Sequence, residues 1–260
     1  MSTSHPPQVL FFDVFGTVVD RRTSNTKALA EAAQHVLSDS QKRLSPATRA
    51  QAAAMTPSDW QTVADEWAAA YNQFTDTFDP SHGFVSVDQQ NHTSLQGLLK
   101  KRSLGDLFTD KERWDLTLGW HRLDPRADSV RGLDVLNRRF RTCTLSNANV
   151  AILENLSRYG GLPFSEILSA EHFGAYKPSP EVYLGAAARV GVEPGQCAQV
   201  AAHLYDLKAA KGLGLQTIYV EREGEEEKKK MRQAREEGYV DMWIGLESEG
   251  LLEVARRFGL

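Results

Sequence analysis

Cysteine is nearly missing from this chain: Cys143 and Cys197 are the only two in 260 residues, and no CxxC spacing surrounds either. That excludes a disulfide framework and a cysteine-built zinc site. It leaves two free thiols in or beside predicted strands, as expected of a reducing, cytoplasmic setting. A long apolar run is lacking too, so no window approaches a membrane span. The opening MSTSHPPQ has neither a positively charged start nor an apolar stretch of secretory type. Basic excess is absent: 30 Lys and Arg against 34 Asp and Glu give a formal net charge of −4. The basic residues are interleaved with acidic ones, which argues against nucleic acid as a partner. The densest charge block, Glu225 to Lys230, reads as a solvated helix with Glu and Lys in supporting spacing. No internal repeat or low-complexity linker occurs. The expected partner is a small-molecule substrate, with no membrane and no nucleic acid.

What is present is an ordinary core, with 41% hydrophobic residues, and a length that suits one large domain or a domain with an insertion. Val9 to Phe12 is an apolar run too short for a helix and reads as a buried strand, closed by Asp13 and the turn residues Gly16 and Thr17. After Thr17 the pattern turns helical, with Ser24 as the expected cap before Ala28, Leu29, Ala32, Ala33, Val36 and Leu37. Trp60, Val63, Trp67, Tyr71, Phe74 and Phe78 form a second helical stripe. Such a stripe serves a partner chain as well as the protein's own core, which leaves a homodimer open. Further helical pattern covers Leu95 to Leu99 and Lys111 to Leu123, with no strand between Asp20 and Asp124.

From Arg126 onward helices and strands alternate. Helices are expected over Val130 to Arg139, from Val150, over Pro180 to Val190 and over Asp206 to Leu213. Strands are expected at TCTLSN, Glu166 to Ser169, Ala198 to Ala202, Thr217 to Val220 and Asp241 to Ile244, before a closing helix. This is the grammar of a Rossmann-like α/β core, a parallel sheet with helices on both faces. The core is expected over residues 1–20 and 124–260, and residues 21–123 form an inserted all-helical block.

Asp13, Ser146, Lys177 and Asp206 each fall just after a predicted strand of that sheet, where loops at one edge gather reactive groups. A strand-terminal Asp with a Lys and a hydroxyl nearby suits a carboxylate nucleophile, because the ammonium keeps the Asp ionised while the hydroxyl orients it. His203, after the strand Ala198 to Ala202, reads in two ways. It is either a base for a hydrolytic water or a structural histidine bonded to a loop carbonyl. His121 and His172 lack such a setting and read as structural or exposed.

The ordered segments DVFGT, LSN, YKPSPEVY and VAAHLYDL resemble the haloacid dehalogenase superfamily, and within it the type II, L-2-haloacid dehalogenase branch. The resemblance implies that Asp13 is the nucleophile and that Thr17, Ser146 and Asn147 position it or the leaving group. It implies further that Lys177 holds the charge, that Tyr183 and Asp206 complete the site, and that residues 21–123 are a cap over it. Phe15, Arg22 and Trp67 join Thr17, Asn147 and Tyr183 as expected substrate-binding side chains. The phosphatase relatives carry carboxylates where this chain has Phe15 and Ala202, so neither metal nor any other cofactor is expected. A halide needs no proton to leave. The resemblance thus implies displacement by Asp13 and hydrolysis of an aspartyl ester.

One departure is Ala68, after Trp67, where the resembling dehalogenases carry a cap Arg. Either Arg22 or another cap residue replaces that cation, or the substrate differs; Arg22 also reads as a surface residue at the hinge. A second is Ala148, where a Gly usually follows LSN. Two alternatives stay open: a relative recruited to epoxide opening, elimination or isomerisation, and a catalytically silent binding protein.

Overall fold

The computed structural model describes residues 6–79 and 85–260, so the first five residues of the MSTSHPPQ segment lie outside the described residues. Val9, Leu10, Phe11 and Phe12 are all buried, as a strand covered on both faces of a parallel sheet must be. They form β1 (Val9–Phe12), flanked by β2 (Arg141–Thr144) and β3 (Cys197–Ala201). β4 (Gln216–Val220) and β5 (Met242–Ile244) extend the sheet beyond β3. All pairings are parallel and the order is β2-β1-β3-β4-β5. In this order the connections diverge between β1 and β3, the crevice where open α/β sheets bind ligands. The thiols of Cys143 on β2 and Cys197 on β3 are both buried and free, and burial pushes each up to about 12.

The chain forms two compact units, one comprising the chain up to Asp20 together with Asp124–Leu260, the other Arg21–Leu123. The backbone leaves and re-enters the first unit at one place: Asp20 N–H donates to Asp124 O at 2.8 Å and Arg126 N–H to Val18 O at 2.9 Å. The helical unit contains α1 (Arg21–Ser38), α2 (Pro46–Ala54), α3 (Pro57–Asp76), α4 (Val87–Lys101) and α5 (Asp110–Thr117). α3 starts on a reciprocal cap between Thr56 and Asp59 and buries Trp60, Val63, Ala64, Trp67 and Tyr71. Between the strands of the sheet unit lie α6 (Ser129–Leu136), α7 (Val150–Gly160), α8 (Pro180–Val190), α9 (Leu204–Gly212) and α10 (Lys228–Glu237), and α11 (Leu251–Arg257) follows β5. Among the described residues no helix is long and apolar enough to cross a membrane.

Four expectations need correction. Ser24 lies inside α1, which begins at Arg21. The short helix α2, absent from the sequence reading, starts on the Ser45 hydroxyl with Pro46 in its first turn. Glu166 to Ser169 makes only isolated bridges to β2, at Cys143 and Ser146. The Thr144 hydroxyl stands between them, donating to Leu168 O at 2.8 Å and accepting from Leu168 N–H at 2.9 Å, where a regular ladder would use backbone alone. The Glu225 to Lys230 block is not one solvated helix. α10 begins at Lys228, and the carboxylates of Glu225 and Glu226 turn inward, each side chain only 7% exposed.

Candidate active site

The parallel register places Asp13 one residue beyond β1, where its N–H donates to Val200 O of β3 at 3.0 Å. The chain then turns tightly: Gly16 has φ +79°, its N–H meets Val19 O at 3.0 Å, and Val18 N–H meets Val14 O at 2.9 Å. This turn returns the Thr17 hydroxyl to Asp13 Oδ2 at 2.7 Å. The same hydroxyl accepts from Ala202 N–H at 2.9 Å, tying the ends of β1 and β3 together.

Lys177 is 1% exposed, and its Nζ donates to Asp13 Oδ1 at 3.0 Å and Asp206 Oδ2 at 2.7 Å. Asp206, in the first turn of α9, also accepts from Tyr183 OH at 2.6 Å and Gln199 Nε2 at 2.8 Å. A buried charge must be paired and hydrogen-bonded to persist, and here each group has its partners. Asn147 holds the Lys177 backbone from both sides, accepting from its N–H at 2.6 Å and donating to its carbonyl at 3.1 Å. Burial opposes ionisation of Asp13, but Lys177, then His203 and Thr17, outweigh it and hold Asp13 far below the usual carboxylate range. Burial likewise opposes the Lys177 ammonium, and Asp13 and Asp206 outweigh it, lifting Lys177 above the usual lysine range. Tyr183 is pushed well above its ordinary value by burial and then by Asp206, and stays a neutral donor.

His203 completes the first ring of partners, its Nδ1 2.9 Å from Asp13 Oδ2 and its Nε2 3.3 Å from Glu225 Oε2. Burial disfavours an imidazolium, yet the hydrogen bonds and charges of Asp13 and Glu225 outweigh it and raise His203 from 6.5 to about 9. The raised value favours an imidazolium between the two carboxylates at neutral pH. His121 and His172 bond elsewhere, to Asp88 and to Ser169 N–H.

Asp13, Thr17, Lys177, Tyr183, His203 and Asp206 thus form one hydrogen-bonded set, with Asn147 one step behind. Ser146 is buried beside them, but its hydroxyl accepts from Ala148 N–H at 3.2 Å. Phe15 is buried in the turn. Arg22 and Trp67 belong to the helical unit. Arg22 pairs with both oxygens of Asp65 at 2.8 Å, and Trp67 donates its indole N–H to Asn91 O at 2.9 Å while its ring meets Trp120 edge-on. Sequence reasoning missed Gln199, Glu225 and Arg126. Gln199 carried a signal, a polar residue in a continuously buried strand. Glu225 was masked by the Glu–Lys spacing that follows it.

An Asp kept ionised by a buried Lys, at the crevice between diverging strands, can attack an electrophilic carbon or phosphorus. Comparison with known proteins narrows the class. One curated relative, (S)-2-haloacid dehalogenase 1 of Pseudomonas sp. strain CBS-3, is 30% identical over 129 residues, which is 48% of this chain and 53% of that protein. The match therefore spans about half the length of that relative. Two solved structures align almost end to end. The defluorinating L-2-haloacid dehalogenase Rha0230 has a TM-score of 0.78 at 26% identity, covering 100% of this chain and 98% of its own. The L-2-haloacid dehalogenase PA0810 has a TM-score of 0.76 at 28% identity, covering 97% and 99%. The family model for haloacid dehalogenase-like hydrolases matches residues 7–214, a span that begins before β1 and ends after α9, so that Asp13, Lys177, His203 and Asp206 all lie within it. With that match over most of its length, the chain belongs to the haloacid dehalogenase-like hydrolase family.

Proposed function

We propose that this chain is a metal-independent hydrolase of 2-haloacid dehalogenase type, with Asp13 as nucleophile and residues 21–123 as its cap. The observation that carries this reading is the Asp13 carboxylate itself, ionised at the β1/β3 crevice by a fully buried Lys177 that Asp206 holds in place. One carboxylate oxygen of Asp13 attacks the carbon bearing the halogen. A C–O bond forms as the carbon–halogen bond breaks, and the halide leaves with the electron pair. Water then attacks the ester carbon of Asp13, the ester C–O bond breaks, and a 2-hydroxy acid departs. Phe15 and Ala202 stand where a phosphatase needs a proton donor and a metal ligand, so phosphoryl transfer lacks its residues here. A second reading, displacement at another electrophilic carbon such as an epoxide, is favoured by Ala68. A haloacid carboxylate asks for a cation, and a charge-assisted contact is worth about 1.5–3 kcal/mol.

The test is a single turnover of 2-bromopropionate in heavy-oxygen water with enzyme in excess. The label is expected in the Asp13 carboxylate and ordinary oxygen in the product, with bromide released at the same rate after exhaustive chelation. Label entering the product directly, or an Asp13→Asn protein with full initial activity, overturns the ester route. Bromide release that is slow in the wild type and faster in Ala68→Arg selects the second reading.

A further inference from the structure

Resting on the dehalogenase reading, we propose that Glu225 is the positioning residue of ester hydrolysis. Its carboxylate takes the Nε2 side of His203 and leaves Nδ1, the nitrogen facing Asp13, as the one that turns basic when Asp13 is esterified. Glu225 comes from the loop after β4, outside every motif of the site, and three residues, Arg126, Arg222 and Gly16, fix it there. Arg126 donates through Nη2 to Glu225 Oε1 at 3.1 Å and to Gly16 O at 3.2 Å, while its Nη1 lies 3.2 Å from Asp20 Oδ2. Arg222, at the start of the same loop, donates to Thr17 O at 3.0 Å and grips Asp128 with two bonds of 2.8 Å. Gly16 supplies the space: a Cβ there would sit 2.5 Å from the Cδ and Oε2 of Glu225. The missing side chain of the nucleophile turn is filled by the carboxylate that holds His203.

Charge explains when His203 changes role. In the resting site Asp13, Asp206 and Glu225 are matched by Lys177, His203 and Arg126. Esterification of Asp13 removes one negative charge from these side chains, the halide carrying it away, and leaves Nδ1 of His203 without the carboxylate it faced. Lys177 still has Asp206, and Arg126 still has Glu225 and Asp20, so the proton that leaves to solvent is the one on Nδ1. Glu225 keeps Nε2–H, which fixes the tautomer. Water then gives a proton to Nδ1 as its oxygen bonds to the ester carbon. The leaving alkoxide takes that proton, and the restored Asp13 acid passes its own proton to Nδ1, returning the resting pair. The charged and titratable groups facing His203 are Asp13 from the end of β1, and Glu225 and Glu226 from the loop after β4. Glu226 accepts from Leu204 N–H at 3.0 Å. The Tyr205 ring lies 6.0 Å away, and Lys177 reaches His203 through Asp13.

The test uses the full chain and two readouts. Imidazole NMR of the resting protein should place the His203 midpoint near 9. In Glu225→Gln that midpoint should fall by about one pH unit, tenfold in proton affinity. Rapid quenching with 2-bromopropionate should show ester formation in Glu225→Gln within about twofold of wild type and ester hydrolysis slowed at least about tenfold, so that the adduct accumulates on Asp13. Glu225→Asp, which keeps a carboxylate, should recover part of the His203 midpoint and of the hydrolysis rate, and guards against a fault peculiar to one variant. An unchanged His203 midpoint, or equal slowing of both steps, overturns the role of Glu225. If the wild type forms no ester at all, the dehalogenase reading and the hydrolytic role fail together. A midpoint shift then still separates that failure from a His203 that Glu225 does not hold.

Discussion

Lys177 holds two carboxylates at once, and its removal leaves Asp206 buried without a cation and Asp13 with His203 alone. Lys177→Met is therefore expected to destabilise the fold by about 3–5 kcal/mol, the range for breaking a buried ion pair from one side. Tyr183→Phe removes a single donor from Asp206, which keeps Lys177 and Gln199, and should cost only about 1–2 kcal/mol. Urea denaturation at pH 7 compares the two, and equal costs would mean that Lys177 is not the cation on which both carboxylates depend. At this scale the sequence was legible wherever a reactive residue directly follows a strand. Asp13 follows β1 and Asp206 lies just past β3, and their positions came from the apolar runs alone. Glu225 was not legible. It stands at the head of a run of Glu and Lys that reads as a solvated helix, and only the turn after β4 and the two arginines, 222 and 126, bring it to His203.

Among the elements, α6 and α11 show how closely two helices are fitted to each other. A Cβ on Gly132 of α6 would strike the Leu251 Cβ and lie 3.0 Å from its carbonyl carbon. Leu251 N–H in turn donates to Asp128 Oδ2 at 2.6 Å, the carboxylate that Arg222 grips. Gly132→Ala gains about 1 kcal/mol of helix propensity but overpacks a site that costs about 1–3 kcal/mol to force open. Net destabilisation is expected. Gly97→Ala, exposed on α4 with open space around its Cβ position, has only the propensity gain and should stabilise by about 0.5–1 kcal/mol. Urea midpoints of the two variants should move in opposite directions, and movement in the same direction would refute the packing argument. Helix and strand identities were readable here because periodicity reports burial, which is what a stripe such as Trp60 to Tyr71 records. The failed strand at Glu166 to Ser169 has a strand-like apolar pair, Ile167 and Leu168. Pairing also depends on where a hydroxyl such as that of Thr144 substitutes for a peptide group, and no pattern of hydrophobicity encodes that.

Over the whole molecule the site links folding to pH from both sides. Asp13 is depressed from 3.8, so its contribution is present above about pH 4 and is lost as pH falls through its folded value. His203 is raised from 6.5 to about 9, so its contribution is complete below pH 6.5 and is lost as pH rises through about 9. The two overlap between roughly pH 4 and 6.5, the window in which the pair adds most to stability. The difference in unfolding free energy between wild type and His203→Gln should therefore be largest in that window and shrink steadily from pH 6.5 to 9. Chemical denaturation across pH 5 to 10 reads this directly. A difference that does not change over that range would show that His203 does not gain its proton affinity from folding.

The two core thiols acquire a meaning from the proposed chemistry. Compounds such as 2-bromopropionate are alkylating agents, and the group they attack most readily in a protein is a cysteine thiolate. Cys143 and Cys197 lie in the sheet itself, and with thiols pushed up to about 12 they hold only about one part in 100,000 as thiolate at pH 7. Under the proposed chemistry these two thiols are poor targets for the electrophile, and for as long as the sheet stays folded they do not compete with the Asp13 carboxylate for it.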